Sequence, residues 1–174
     1  VQLLQRLLPT AKRVGIIYNS GEINSELQAK SFVAAAQAKG LSVTEATVSN
    51  VNDLSQVAQA LSGRVDVIYV PTDNVIASAL PTLINVTNAA RILVIGAAAS
   101  YVQEGALAAL SVDYYQIGYH AGEMAVKVLK GNAQPQTLAI ELPAAQAPLI
   151  SRSAASTLGI AIDPELANTA QLCD

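Results

Sequence analysis

Short apolar runs alternate with amphipathic segments along most of the chain, and this alternation constrains the fold more than any other feature. Residues 13–18, 65–70 and 92–95 are brief and almost wholly apolar, as expected for strands covered on both faces. Residues 22–39 instead place apolar side chains at helical spacing. Strands that alternate with helices of this length indicate βαβ units. We therefore predict an α/β fold, with a parallel sheet of about five or six strands and helices on both faces.

Turn and capping residues set the ends of the predicted elements. Pro81 falls within a helical run, so we expect a kink or a restart there. The predicted strands are residues 13–18, 41–48 near an edge, 65–70, 92–95, 106–112 and 137–142. The predicted helices are the end of one at 1–8, then 22–39, one capped by Asn52 or Asp53 and closed by Gly63, one around 76–83, and 114–130. Residues 143–148 are predicted as a linker, followed by a short strand and two short helices.

The composition excludes several classes of protein. Of the 174 residues, 52% are hydrophobic and 13% are charged, which indicates a packed interior rather than a disordered chain. The net charge of −3 and the scattered Lys and Arg residues argue against nucleic acid as a partner. No apolar run approaches the roughly 20 residues needed to span a bilayer. Cys173 is the only cysteine, so an internal disulfide is excluded.

Small and polar residues gather where four of the predicted strands end. Ligands of open α/β sheets bind beyond the carboxyl ends of the strands, and helix N-termini there offer free N–H groups to an anion. Each residue also has a simpler interpretation as a helix cap. Asn19 and Glu22 have the spacing of a capping box, and Asp73 or Asn74 can cap the next helix. Four strand ends of the same character favour a ligand crevice, although capping stays open for any single residue.

The same strand ends carry acidic and aromatic residues. Asp73 and Asp113 suit a ligand ammonium group, and Tyr101, Tyr114 and Tyr115 suit an apolar or aromatic body. That combination fits an amino acid. Metal binding at the two aspartates is an open alternative, but no cluster of further ligands surrounds them, so we expect neither a metal nor a cofactor.

Sequence motifs for catalysis are absent. The chain has no G-x-G-x-x-G, no Walker motif and no G-x-S-x-G elbow, and its single histidine, His120, lies within a predicted helix. A phosphorylated receiver domain would need an acidic pair after the first strand, where this chain has Tyr18 and Asn19. We therefore expect a protein that is not an enzyme.

Several blocks of sequence resemble one known family. They are LLPTAKRVGIIYNSGEINS at 7–25, VDVIYVPTDN at 65–74, GALAALSVDYYQIG at 105–118 and AGEMAVKVLKGNAQP at 121–135, with a weaker match in STLGIAIDPELANTA at 156–170. In this order they resemble the second lobe of the tryptophan/tyrosine-type substrate-binding proteins of ABC importers, a branch of the type I periplasmic binding proteins.

The resemblance implies a lobe with flavodoxin-like strand order that binds a small molecule without chemistry and delivers it to an ABC permease. The ligand would be an amino acid, with an aromatic one as the candidate, and the protein would be periplasmic or a cell-surface lipoprotein. An effector-binding or sensor domain of a transcriptional regulator is the alternative. The ligand-binding residues implied are Ser20, Glu22, Asn24, Thr72, Asp73, Asn74 and Asp113, with Tyr101 and Tyr114 as aromatic contacts.

The resemblance also implies a division of the chain. Residues 1–142 would form the ligand-binding lobe and residues 143–174 a C-terminal tail, while the helix at 114–130 would belong to a first lobe that precedes this chain in the family. We expect that helix to fold back onto its own sheet or to be covered in a homodimer. We also expect weak ligand binding by one lobe alone.

Overall fold

The computed structural model describes residues 1–142 and 146–174, which form two compact units. The first unit comprises Val1–Ser111 and Ala147–Asp174, and the second comprises Val112–Gln146. This division differs from the predicted boundary at 142, because the C-terminal segment returns to the core of the first unit, where Ile150 is fully buried. Within the described residues, no helix is long and apolar enough to cross a membrane.

The first unit is built on one sheet. Its strands are β1 (Arg13–Asn19), β2 (Ser42–Val48), β3 (Val67–Val70), β4 (Leu93–Gly96), β5 (Ala108–Ala109), β6 (Leu149–Ser151) and β7 (Gln171–Cys173). Their order is β2-β1-β3-β4-β5-β6-β7, and only the β5–β6 pair is antiparallel. The predicted α/β class is confirmed, as is flavodoxin-like order over the first five strands. Among the described residues, the sheet has seven strands rather than five or six.

Helices connect these strands. They are α1 (Gln2–Leu7), α2 (Ile23–Ala38), α3 (Asp53–Leu61), α4 (Asn74–Ser78), α5 (Leu80–Ala89), α6 (Ala99–Gln103), α7 (Tyr114–Leu129), α8 (Arg152–Leu158) and α9 (Pro164–Thr169). The expected restart at Pro81 is confirmed. The helical run breaks at Ala79, and Pro81 stands in the first turn of α5, where its missing N–H costs nothing.

Alternate residues of the central strands face two different helix layers. Val67 of β3 packs in a cluster with Leu4 of α1 and Leu166 of α9. Its neighbour Ile68 packs in a second cluster with Leu61 of α3. Successive side chains of a strand point to opposite faces, so apolar residues at both positions require cover on both sides. The helices therefore lie on both faces of the sheet, as predicted.

The end of the sheet differs from the prediction. Residues 137–142 form no strand, and Ile140 is 91% exposed. The edge of β5 pairs instead with β6, which we predict only as a short strand of the tail. An apolar pattern indicates that a segment can be a strand but does not decide which segment reaches the open edge. The predicted strand at 106–112 is shorter in the structure and corresponds to β5, and β7 is a strand that we did not predict. Residues 143–145 of the predicted linker lie outside the described residues.

The second unit contains α7. This helix spans the predicted segment and carries no buried residue. Its large apolar side chains are exposed, among them Tyr114, Tyr115 and Leu129, the last at 85%. Cover for this face, by the sheet or by a homodimer, stays a prediction.

Candidate functional site

Two loops meet where the strand order of the sheet reverses. β1 lies between β2 and β3, and the helices that follow β1 and β3 cover opposite faces of the sheet. Such a switch point is where open α/β sheets hold ligands, beyond the carboxyl ends of the strands. The two loops, together with the first residues of the helices that follow them, carry most of the predicted site residues. These are Ser20, Glu22, Asn24, Thr72, Asp73 and Asn74.

Asp73 is the buried centre of this edge, and it is 1% exposed. Its Oδ2 accepts hydrogen bonds from the Asn19 N–H and the Ser25 hydroxyl, each at 2.6 Å. Its Oδ1 accepts from the Ile76 N–H at 3.0 Å and so caps α4, as the capping interpretation predicts. The carboxylate ties β1, α2 and α4 together. Because the residue is almost completely covered, its carboxylate is closed to a ligand in this arrangement.

Tyr101 lies beneath the same edge rather than on it, and it is 2% exposed. Its hydroxyl is 3.1 Å from the carbonyl oxygens of Pro71 and Asp73 and accepts from the Asp73 N–H at the same distance. The ring packs on Gly96, where an added Cβ would overlap the Tyr101 Cδ2 atom. The side chain that we predict as an aromatic contact thus supports the β3–α4 loop from below.

Glu22 organises the exposed side of the edge. It stands at the N-cap position of α2, and its side chain makes no capping bond. Glu22 Oε1 accepts from the Nδ2 atoms of Asn24 at 3.0 Å and Asn74 at 2.9 Å, and Oε2 accepts from the Asn74 N–H at 3.0 Å. Asn24 also donates to the Thr72 carbonyl oxygen at 3.0 Å. These bonds connect the loop after β1 to the loop after β3.

The predicted capping box at the start of α2 is wrong. Asn19 Oδ1 accepts instead from the Gly21 N–H at 2.9 Å, closing a short turn in which Ser20 is exposed. Asn19 therefore has two separate contacts: its backbone N–H donates to Asp73, and its side chain accepts within the turn.

Two residues outside the predicted set complete this edge. Ser25 is fully buried and donates to Asp73, and Gln28 Oε1 accepts from the Thr72 N–H at 2.9 Å. Gln28 lies four positions after Asn24 on α2, so the two share one face of the helix. That spacing could have identified Gln28, whereas nothing local singles out Ser25.

The two remaining candidates belong to the second unit. Asp113 caps α7, since its Oδ1 accepts from the Gln116 N–H at 3.0 Å. Tyr114, the first residue of the helix, is exposed. His120 is exposed as well, with its Nδ1 3.0 Å from a Glu123 carboxylate oxygen. Asp113 thus has a local role as a helix cap, and a ligand role for Asp113 and Tyr114 stays a prediction.

The chemistry available at the switch point is that of recognition. Glu22 brings a partly exposed carboxylate, and Asn24 and Asn74 bring amides that can donate and accept. Over residues 1–142 and 146–174, no group of three His, Cys, Asp or Glu side chains could hold a metal ion. The arrangement can orient a polar or cationic group against the edge of the sheet.

Comparison with known proteins gives the same family over nearly the whole chain. Residues 1–173 match the family model described as ABC transporter substrate binding protein. A tyrosine-binding protein of Clostridioides difficile is 39% identical over 133 residues, which are 76% of this chain and 39% of that protein.

Solved structures agree with this match. The ABC domain in complex with L-Trp from Streptococcus pneumoniae has a TM-score of 0.90 at 32% identity, over 99% of this chain and 58% of that one. A conserved domain protein from Vibrio cholerae has a TM-score of 0.90 at 34% identity, with the same shares covered. The chain therefore spans little more than half the length of the solved relatives that it matches, and less of the tyrosine-binding protein.

Proposed function

Because the chain belongs to the ABC transporter substrate-binding protein family, we propose that it is one lobe of a two-lobe protein that binds a small molecule. Proteins of this family in general bind their substrates without transforming them, and they act outside the cytoplasm or at the cell surface. The observation that carries the proposal is the Glu22–Asn24–Asn74 cluster at the switch point of the sheet. A site there needs a second wall. The solved relatives are longer than this chain, and in the proposed two-lobe protein the second lobe provides that wall.

The ligand that we propose is an amino acid, and aromatic amino acids are the first to test. One relative is named for tyrosine and another was solved with L-Trp. In this chain the contacts would come from Ser20, Glu22, Asn24, Thr72 and Asn74 on the first unit, with Asp73 holding them in place. Asp113 and Tyr114 would add contacts from the second unit.

The exposed face of α7 fits the same proposal. Tyr115, Val126 and Leu129 are large apolar side chains left open to solvent, and exposed apolar surface of this kind marks an interface. In the two-lobe protein, the part that precedes this chain would cover the face. In the isolated chain, a homodimer through α7 would do so.

Delivery to an ABC permease and anchoring as a periplasmic or surface lipoprotein complete the proposed function. The effector-binding domain of a transcriptional regulator shares the fold and is the alternative. The family model covers residues 1–173, and this extent of match favours the importer.

Calorimetry on the complete gene product tests the proposal. A panel of L-tyrosine, L-tryptophan, branched-chain amino acids and sugars should show saturable binding of at least one amino acid. The isolated 174-residue chain should bind the same amino acid at least about tenfold more weakly, because it offers one wall of the site. Binding of a sugar alone, or no amino acid bound at millimolar concentration, would contradict the proposal.

A further inference from the structure

We propose that Glu22, rather than Asp73, is the acceptor for a ligand ammonium group, so that the site selects molecules with a primary amine. This assignment rests on the proposed function and names the ligand class of the same site. It reverses the sequence-based expectation, in which Asp73 was a candidate for the ammonium.

Burial and hydrogen bonding exclude Asp73 from that task. A carboxylate at 1% exposure offers no surface to a ligand. Three donors from β1, α2 and α4 already occupy its oxygens. Any acceptor position left on Asp73 is covered by the protein, so an ammonium ion could reach it only by moving buried groups aside, and each buried donor displaced costs about 1–3 kcal/mol.

Glu22 has the opposite properties. A carboxylate can accept about four hydrogen bonds, and Glu22 accepts three: two from side-chain amides and one from the Asn74 N–H. One acceptor position is therefore open on a partly exposed group. Among the described residues, no Lys, Arg or His pairs with Glu22, so its negative charge is left for an incoming cation.

Asn24 and Asn74 act as positioning residues for this carboxylate. Asn74 holds both oxygens through its side chain and its backbone N–H, and Asn24 is anchored to the Thr72 carbonyl oxygen. A carboxylate fixed in this way loses little side-chain freedom when the ligand binds. Charge-assisted hydrogen bonds from an ammonium are roughly twice as strong as neutral ones, which makes a primary amine the favoured group.

The test compares each amino acid with its des-amino analogue, L-tyrosine with hydroxyphenylpropanoate and L-tryptophan with indolepropanoate. In the complete gene product, Glu22→Gln should reduce the preference for the amino acid over its analogue at least about tenfold, since it removes the charge but keeps the size. Glu26→Gln is the matched control. Glu26 lies one turn further along α2 and is paired with Lys30, so its replacement should leave the preference unchanged.

The outcomes separate the two proposals. A wild-type protein that binds neither amino acid overturns the proposed function, and this assignment falls with it. A wild-type protein that prefers the amino acid, with an unchanged preference in Glu22→Gln, overturns the assignment and leaves the function standing. Asn74→Ala, which removes a positioning residue but keeps the charge, should lower the preference less than Glu22→Gln. Thermal melting of each variant confirms that it is folded.

Discussion

Replacing Asp73 by alanine should destabilise the first unit more than any other single change at the ligand edge. The substitution removes the acceptor for three hydrogen bonds, from the Asn19 N–H, the Ser25 hydroxyl and the Ile76 N–H. Ser25 and Ile76 are fully buried, so water cannot take the place of the carboxylate at either donor. The change therefore leaves unsatisfied polar groups in the interior.

The magnitude follows from these bonds. A donor left unsatisfied in the interior costs about 1–3 kcal/mol, and we expect a smaller cost for the Asn19 N–H, since Asn19 is only half-buried. Removing a buried carboxylate also relieves part of its desolvation penalty. The balance is a loss of about 3–5 kcal/mol in the free energy of unfolding, which is a large part of the 5–15 kcal/mol typical of a domain. Ser25→Ala, which removes one of the three bonds, should cost about 1–2 kcal/mol.

Urea unfolding followed by circular dichroism measures both values. Asp53→Ala is the control, because Asp53 also accepts two hydrogen bonds near a helix start but lies at the exposed surface. This change should cost about 0.5–1 kcal/mol, because water can replace the carboxylate at both exposed donors. If Asp73→Ala and Asp53→Ala shift the midpoint equally, the buried network does not hold this edge together. If Asp73→Ala fails to fold, Ser25→Ala against the same control decides the matter.

Three further substitutions test other parts of the structure. Gly96→Ala should lower the free energy of unfolding by about 1–3 kcal/mol, because its Cβ overlaps the Tyr101 ring, and thermal melting that shows no change would contradict that packing. Arg91→Gly should raise the free energy of unfolding by about 0.5–1 kcal/mol in denaturant, because Arg91, which follows the C-cap of α5, has a φ of 55° that glycine adopts freely. Burial alone would raise the pKa of Asp66, but hydrogen bonds from the Arg13 side chain and two backbone N–H groups hold that pKa below its ordinary value. The Asp66 carboxylate therefore stabilises the fold at a pH above its ordinary pKa. This stabilisation is lost as the pH falls through the lowered pKa. The free energies of unfolding of Asp66→Asn and the wild type should thus differ by about 1–2 kcal/mol at pH 7 and converge in strong acid. A difference that does not change with pH would refute this dependence on the Asp66 carboxylate.

The elements of this protein could be predicted from local sequence because their signals are local. Apolar runs such as 65–70 and 92–95 can be satisfied only by strands covered on both faces, and helical spacing over 22–39 requires one buried face. Pro81 forces a helix boundary wherever the rest of the chain lies. That the polar residues after β1 and β3 meet at one edge also follows from the sequence, because parallel strands carry their carboxyl ends to one side.

Only the tertiary structure decided which of those polar residues stay exposed at this edge. Asn19 and Asp73 lie 54 positions apart, and nothing near either residue shows that one backbone N–H will occupy the other's carboxylate. The same holds for Tyr101. Its position after a strand predicts an aromatic contact, but in the structure its ring packs on Gly96 in the interior. The strand expected at 137–142 failed for this reason too, because pairing goes to the segment that reaches the open edge of β5, and that segment is β6. Burial and hydrogen-bond pairing between distant segments are properties of the assembled fold, and they separate Glu22, which stays open, from Asp73, which is closed.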